Sequence, residues 1–374
     1  MKDLRALLGE ADGRARLAAG GVFTDPAAFL DALAPPAVLP GSDRRPIHTH
    51  QQPGPDIRRS VLAKLSTLED LRRRQPEVVD TAFVLIDTDR AASSKVATRI
   101  AWDGPDGRRH MLKVTPPGTE PLEFRHLGLD PAQLDRVADR LAAYLRQIPG
   151  DRAAATSRMA RLRPLLAPAR ALTLAEYATS LSQFLLAARL GQAPRPVMVS
   201  TLAESGQLTQ ALATMLAGLE GFVAAFNRAV HDLTAAGIDP AVGALAADWL
   251  PLFYSCPVDG ERMRLRRQRS GRDVVAAGRS RAGRAYAFPL GATGCDLGAL
   301  LAAGRWSPDV TLPVLLNDRF SGMVAGRSSA LYGLVLATAM RTALGIRPIP
   351  MLVPTTLAEP PSGPDGLLQS WLTG

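Results

Sequence analysis

The sequence predicts an α/β fold built on a parallel, doubly wound core. Three observations predict it. Near the N-terminus, the extended run Arg45-Pro46-Ile47-His48-Thr49-His50 leads through a polar loop, 51–56, into a helical stretch at 57–74. The apolar run Thr81-Ala82-Phe83-Val84-Leu85-Ile86 follows. Near the C-terminus, a strand at 310–316, the loop Asn317-Asp318-Arg319, a helix at 329–344 and a strand at 350–353 repeat the pattern. Each unit is long enough for a parallel crossover, which is right-handed almost without exception. Third, both polar loops, and Asp87-Thr88-Asp89, follow the carboxyl ends of strands, where open parallel sheets bind ligands.

The other elements follow in chain order. Residues 1–20 read as an amphipathic helix, and Asp25 caps a short second one with Pro26 in its first turn. Prolines 35, 36 and 40 make a linker into the first strand. A hairpin is expected over 96–114, around Asp103-Gly104-Pro105-Asp106-Gly107. Helices follow at 130–147 and 172–190, then a short buried strand at 196–200. A single long helix is expected over 208–235, and a second hairpin over 252–267. The expected division is N-terminal helices at 1–44, the first half of the core with its hairpin at 45–150, a helical insertion at 151–245, and the second hairpin with the second half of the core at 246–374.

Bulk properties bound the function. The 374 residues carry a formal charge of +9, with 47% hydrophobic and 5% aromatic residues. The arginines are dispersed and no basic stripe carries interleaved aromatics, so nucleic acid is not expected as a partner. The N-terminus holds Asp3, Glu10 and Asp12 without an apolar core, and the longest apolar stretch is half a membrane span. A cytoplasmic protein with no membrane partner is expected. Cys256 and Cys295, two thiols without metal-ligand spacing, suit a reducing compartment and read as a buried pair. Leu212, Met215, Leu216, Leu219, Phe222, Val223 and Phe226 form an apolar stripe, to be covered within the chain or by a second copy. A monomer or a homodimer through this helical region is expected.

The candidate chemistry lies in three short segments. His48, His50 and Gln52 alternate along an extended run and so share a face. Imidazole there can act as a general base, donate to a phosphate or ligate a metal, or simply bond neighbouring loops. Asp87 and Asp89 share a face at a strand end, where two carboxylates can hold Mg²⁺ with a nucleotide, bind an amine or take its proton, or merely cap a turn. Asp56 reads as the N-cap of the first core helix, and Lys64, about 12 Å along it, as a structural pair or a phosphate contact. Gln51 and Gly54 complete the first loop. Asn317, Asp318, Arg319, Arg327 and Ser328 line the second, with Arg327 as a phosphate or carboxylate clamp.

Six segments resemble a known family. Thr49-His50-Gln51-Gln52-Pro53-Gly54 with Lys64 is similar to the Thr-Gly-Gln-Gln-x-Gly…Lys segment of the bacillithiol-synthase-type cysteine ligases. Asp87-Thr88-Asp89 stands where that family has Glu-Asp-His-Asp. Leu172-Thr173-Leu174-Ala175-Glu176-Tyr177, Asp259-Gly260-Glu261-Arg262, Trp306-Ser307-Pro308-Asp309-Val310 and Asn317-Asp318 resemble further family segments, in order, over residues 45–355. The resemblance implies a Rossmann-like, nucleotidyltransferase-type parallel core, to which the residues themselves add a mainly helical insertion and two β-hairpins. It implies an ATP- and Mg²⁺-using ligase that joins an amino acid, cysteine or an analogue, to a small-molecule amine in thiol or natural-product biosynthesis. On this reading His48, His50, Asp87 and Asp89 are catalytic. The first-loop glutamines, Gly54, Lys64, Asn317, Asp318, Arg319, Arg327 and Ser328 bind substrate or nucleotide. His50 in place of glycine, Thr88 in place of histidine, and no counterpart to the family's C-terminal coiled coil point to changed substrates. The alternatives are a nucleotidyltransferase or adenylate-forming enzyme without ligation, and a non-catalytic scaffold of a biosynthetic pathway.

Overall fold

The computed structural model describes residues 1–33, 45–76, 79–91, 98–147, 151–309, 319–354 and 366–373. Its strands are β1 (Val22–Phe23), β2 (Ile47–Gln51), β3 (Thr81–Leu85), β4 (Arg99–Asp103), β5 (Arg109–Lys113), β6 (Arg195–Met198), β7 (Trp249–Ser255), β8 (Arg262–Ser270), β9 (Asp273–Arg279), β10 (Ala285–Pro289), β11 (Trp306–Pro308), β12 (Gly322–Val324) and β13 (Met351–Leu352). Six of them form a parallel sheet in the order β1-β13-β12-β2-β3-β6. From β2 the chain steps outward to β3 and β6, then restarts on the other side with β12 and β13. The order therefore reverses beside β2, as in a doubly wound, Rossmann-like sheet.

The first crossover runs from β2 through the helix Arg59–Arg74 to β3, as the sequence implied. All five residues of β3 are buried, which is why that strand reads as an unbroken apolar run. The second crossover runs from β12 through the helix Arg327–Ala339 to β13, and the expected strand at 310–316 lies outside the described residues. The helix Arg327–Ala339 follows, ends in one π-helical turn at Met340–Leu344 and stops at Gly345, whose φ of +65° is left-handed. The edge strand β1 was not legible, because two residues carry no period.

Two compact units emerge. The first comprises Met1–Thr49, Thr67–Ala82 and Val199–Glu359; the second comprises His50–Ser66, Phe83–Met198 and Pro360–Gly374. In the first unit an antiparallel sheet, β10-β9-β8-β7-β11, extends the expected hairpin to five strands. Its extra strands carry little signal in the sequence, because Ala, Gly and Arg dilute the apolar alternation. The expected long helix is broken at Gly218 into Thr209–Ala217 and Leu219–Ala235, which meet at a bend of 79°. A Cβ on Gly218 would strike the Leu344 side chain, so the break is also a point of close packing. Leu212, Met215, Leu216, Leu219, Phe222 and Phe226 are all buried. Phe222 stacks on Trp249 and Phe226 meets Tyr332 edge-on, so the apolar stripe is covered within its own unit. Cys256 is buried but Cys295 is only half-buried, so the two thiols are not a buried pair.

In the second unit the expected first hairpin is β4–β5, paired from Arg99–Lys113 to Asp103–Arg109. The helix Leu174–Leu190 opens with a capping box between Thr173 and Glu176. A helix at Arg152–Leu166 and the terminal helix Leu367–Thr373 were not anticipated. Asp56 does not cap the first core helix, which starts three residues later. Its Oδ1 instead accepts from the Ile57 and Leu368 amides, at 2.7 and 2.9 Å, and so ties the first loop to the terminal helix. Among the described residues no single helix is long and apolar enough to cross a membrane.

Candidate functional site

The second unit gathers most of the first-loop and Asp-loop residues at the carboxyl ends of β2 and β3. The Ile86 amide donates to the Gln51 carbonyl at 2.9 Å, which sets the two loops side by side. Gln51 Nε2 donates to Gln52 Oε1 at 3.0 Å, and Gln52 Nε2 donates to Asp89 Oδ2 at 3.3 Å. The other carboxylate oxygen, Oδ1, accepts from the Arg90 amide at 2.8 Å. Both oxygens of Asp89 are thus held in one orientation while the residue stays half-buried. Gln51, Gln52, Gly54, Asp56, Phe83 and Ser182 contribute to the wall of a shallow pocket beside them.

Asp87 is only 2% exposed. Its carbonyl accepts from the Arg125 amide at 3.0 Å, and the Asp89 carbonyl accepts from the Phe124 amide at 3.1 Å. A short segment, 123–126, therefore clamps the Asp loop by its backbone. That clamp is anchored by an ion pair: Arg125 Nε lies 2.6 Å from Glu123 Oε2, and the Glu123 side chain is fully buried. Glu-Phe-Arg in a segment with no regular period gave no signal beyond two charges straddling an aromatic. Thr88, between the two aspartates, is fully buried, and its hydroxyl has no hydrogen-bond partner among the described residues.

Lys64 lies 5% exposed and donates from Nζ to the His50 carbonyl at 2.8 Å. Burial lowers its pKa to about 8, because desolvation penalises the ammonium form. It therefore braces the end of β2 through the backbone. His50 itself is half-buried.

The remaining candidates lie in the first unit. His48 is buried, its Nδ1 lies 3.1 Å from the Gly322 carbonyl, and its ring packs on Phe320 with centroids 4.2 Å apart. A carbonyl only accepts, so Nδ1 carries the proton. Beside it the Thr49 hydroxyl donates to the Val324 carbonyl at 2.8 Å. Arg327 opens the helix Arg327–Ala339, with Gly326 at the N-cap; Arg319 and Arg327 are half-buried and Ser328 is exposed. Asn317 and Asp318 lie outside the described residues.

Chemically, the Asp loop offers two carboxylates on one rigid turn. That donor set suits an amine, or Mg²⁺ arriving with a phosphate, which typically keeps only one or two protein carboxylates. Among the described residues no group of three or more His, Cys, Asp or Glu side chains could hold a metal ion. Comparison with protein-family models and with curated protein sequences returns no match.

Proposed function

We propose that the chain is a ligase-like enzyme that condenses an amino acid, cysteine or an analogue, with the amine of a small polar metabolite. The observation that carries the reading is the Gln51–Gln52–Asp89 hydrogen-bond chain beside buried Asp87, at the carboxyl ends of neighbouring parallel strands. A nucleotidyltransferase-type core belongs to the same reading.

An amine attacks only when unprotonated, so the site needs a group that accepts its proton. Asp89 can take that role, because Gln52 and the Arg90 amide fix its carboxylate while it stays partly open to solvent. Asp87, held more deeply, supplies negative charge that attracts the incoming ammonium. When bound, ATP with Mg²⁺ would supply the activation that turns the amino-acid carboxylate into an acyl donor. The amine nitrogen then bonds to the acyl carbon, the activating group leaves with the bonding electrons, and the amine proton goes to the carboxylate.

The test is incubation of purified protein with amino acids, ATP and amine-bearing sugars, followed by mass detection of condensed products. An ATP-dependent product with a mass equal to the two substrates less water supports the reading. Pyrophosphate release without a product selects an adenylate-forming enzyme instead. Neither product nor nucleotide turnover selects a non-catalytic pathway scaffold. That last reading is favoured by one observation: His48 and Lys64 are buried on backbone carbonyls.

A further inference from the structure

The second unit holds a second cavity, of about 510 Å³, that the carboxylate site does not use. This is within the size range of small-molecule sites. Its walls come from the start of the helix Arg59–Arg74, from the helices Arg152–Leu166 and Leu174–Leu190, and from the terminal helix Leu367–Thr373. Ile57, Leu62 and Leu367 give it an apolar side.

Its charge is one-sided. Arg59, Arg158 and Arg189 line it, and among the described residues no carboxylate does. In the adjoining loop, Asp56 Oδ1 accepts from the Ile57 and Leu368 amides. Arg158 is held in place: its Nε donates to the Leu372 carbonyl at 3.1 Å. Arg189 is exposed. The fourth feature is Trp371, whose ring lines the cavity and packs edge-on against Phe184 at 5.1 Å. The Arg161 guanidinium lies 6.0 Å from the Trp371 ring centroid and 5.7 Å from that of Phe184, a cation–π contact that holds the aromatic pair.

Guanidinium groups around an apolar, aromatic-walled cavity match one ligand chemistry. Arginine forks pair with phosphate oxygens, and the Trp371 face and the aliphatic side chains take up a planar or apolar body. We propose that this cavity binds a small organic phosphate monoester with an aromatic or apolar body. The proposal goes beyond the ligase reading and does not depend on it.

Phenyl phosphate is the probe, titrated into the full chain by calorimetry and by tryptophan fluorescence. The expected result is saturable binding of about one molecule per chain, with a change in Trp371 emission that disappears in Trp371→Leu. Inorganic phosphate and phenol should each bind at least about tenfold more weakly, because each offers half of the match. Benzoate separates phosphate from carboxylate recognition and should also bind more weakly. Arg158→Gln and Arg189→Gln should each weaken phenyl phosphate by about tenfold, with melting temperature unchanged for Arg189→Gln. Asp89→Asn should bind it normally. No saturable binding by the intact protein, binding unchanged in both arginine variants, or benzoate binding as tightly as phenyl phosphate would overturn the proposal.

Discussion

The Lys64 ammonium reaches back 2.8 Å to the carbonyl of His50, so the first core helix is tethered to the end of β2 by a buried cation rather than by a carboxylate pair. Burial lowers the Lys64 pKa from 10.5 to about 8 in the folded chain. Below that value Lys64 is protonated in both states and its burial cost is constant. Between about 8 and 10.5 the unfolded chain holds a proton that the folded chain has lost, so this residue makes stability rise with pH through that window. Denaturant unfolding at about pH 7.5 and about pH 9.5 checks this by comparing the protein with Lys64→Met. The protein should gain stability relative to the variant at the higher pH. Parallel profiles would show that Lys64 does not titrate there.

Glu123 and Arg125 hold the Asp loop from below. Removing one partner of a buried ion pair strands the other charge. Glu123→Ala should therefore cost about 3 kcal/mol or more, measured by denaturant unfolding. The double variant Glu123→Leu with Arg125→Met, which removes both charges of the pair, should recover part of that loss. A single variant as stable as the parent would mean that solvent reaches Arg125 easily.

Gly322 is the strand residue whose carbonyl faces His48. A Cβ there would lie 2.7 Å from the Phe29 ring and 2.8 Å from the Leu33 side chain, inside ordinary contact distance. Gly322→Ala should cost about 1–3 kcal/mol through overpacking, seen as a lower melting temperature. An unchanged melting temperature would show that Phe29 moves aside without penalty.

The first crossover was legible because each part carried its own signal: a β-rich run at Thr81–Ile86, leucines at helical spacing, and polar loops at strand ends. From the sequence, Lys64 reads as a structural pair or a phosphate contact about 12 Å along the helix. The helix in fact starts at Arg59, which places Lys64 about 7.5 Å along the axis, within reach of the His50 carbonyl. The break at Gly218 was not legible, since a glycine within an unbroken apolar stripe looks tolerated until Leu344 occupies the space of its missing side chain. Of the candidate site, the glutamines and aspartates could be read from their positions at strand ends. The clamp from Glu123 and Arg125 could not, because it joins segments more than thirty residues apart in sequence by backbone hydrogen bonds that any residue type can make.

The central claim is that the Asp loop does chemistry. The most direct measurement is the yield of condensed product, by mass, from the protein and from Asp89→Asn and Asp87→Asn under identical conditions. The amide oxygen at position 89 can still accept from the Arg90 amide, so that variant should melt within a few degrees of the parent. The account predicts an ATP-dependent condensed product from the protein and a loss of about a hundredfold or more in Asp89→Asn, the scale of a removed general base. Product formed equally by all three proteins, or by none of them with any amine, would contradict it.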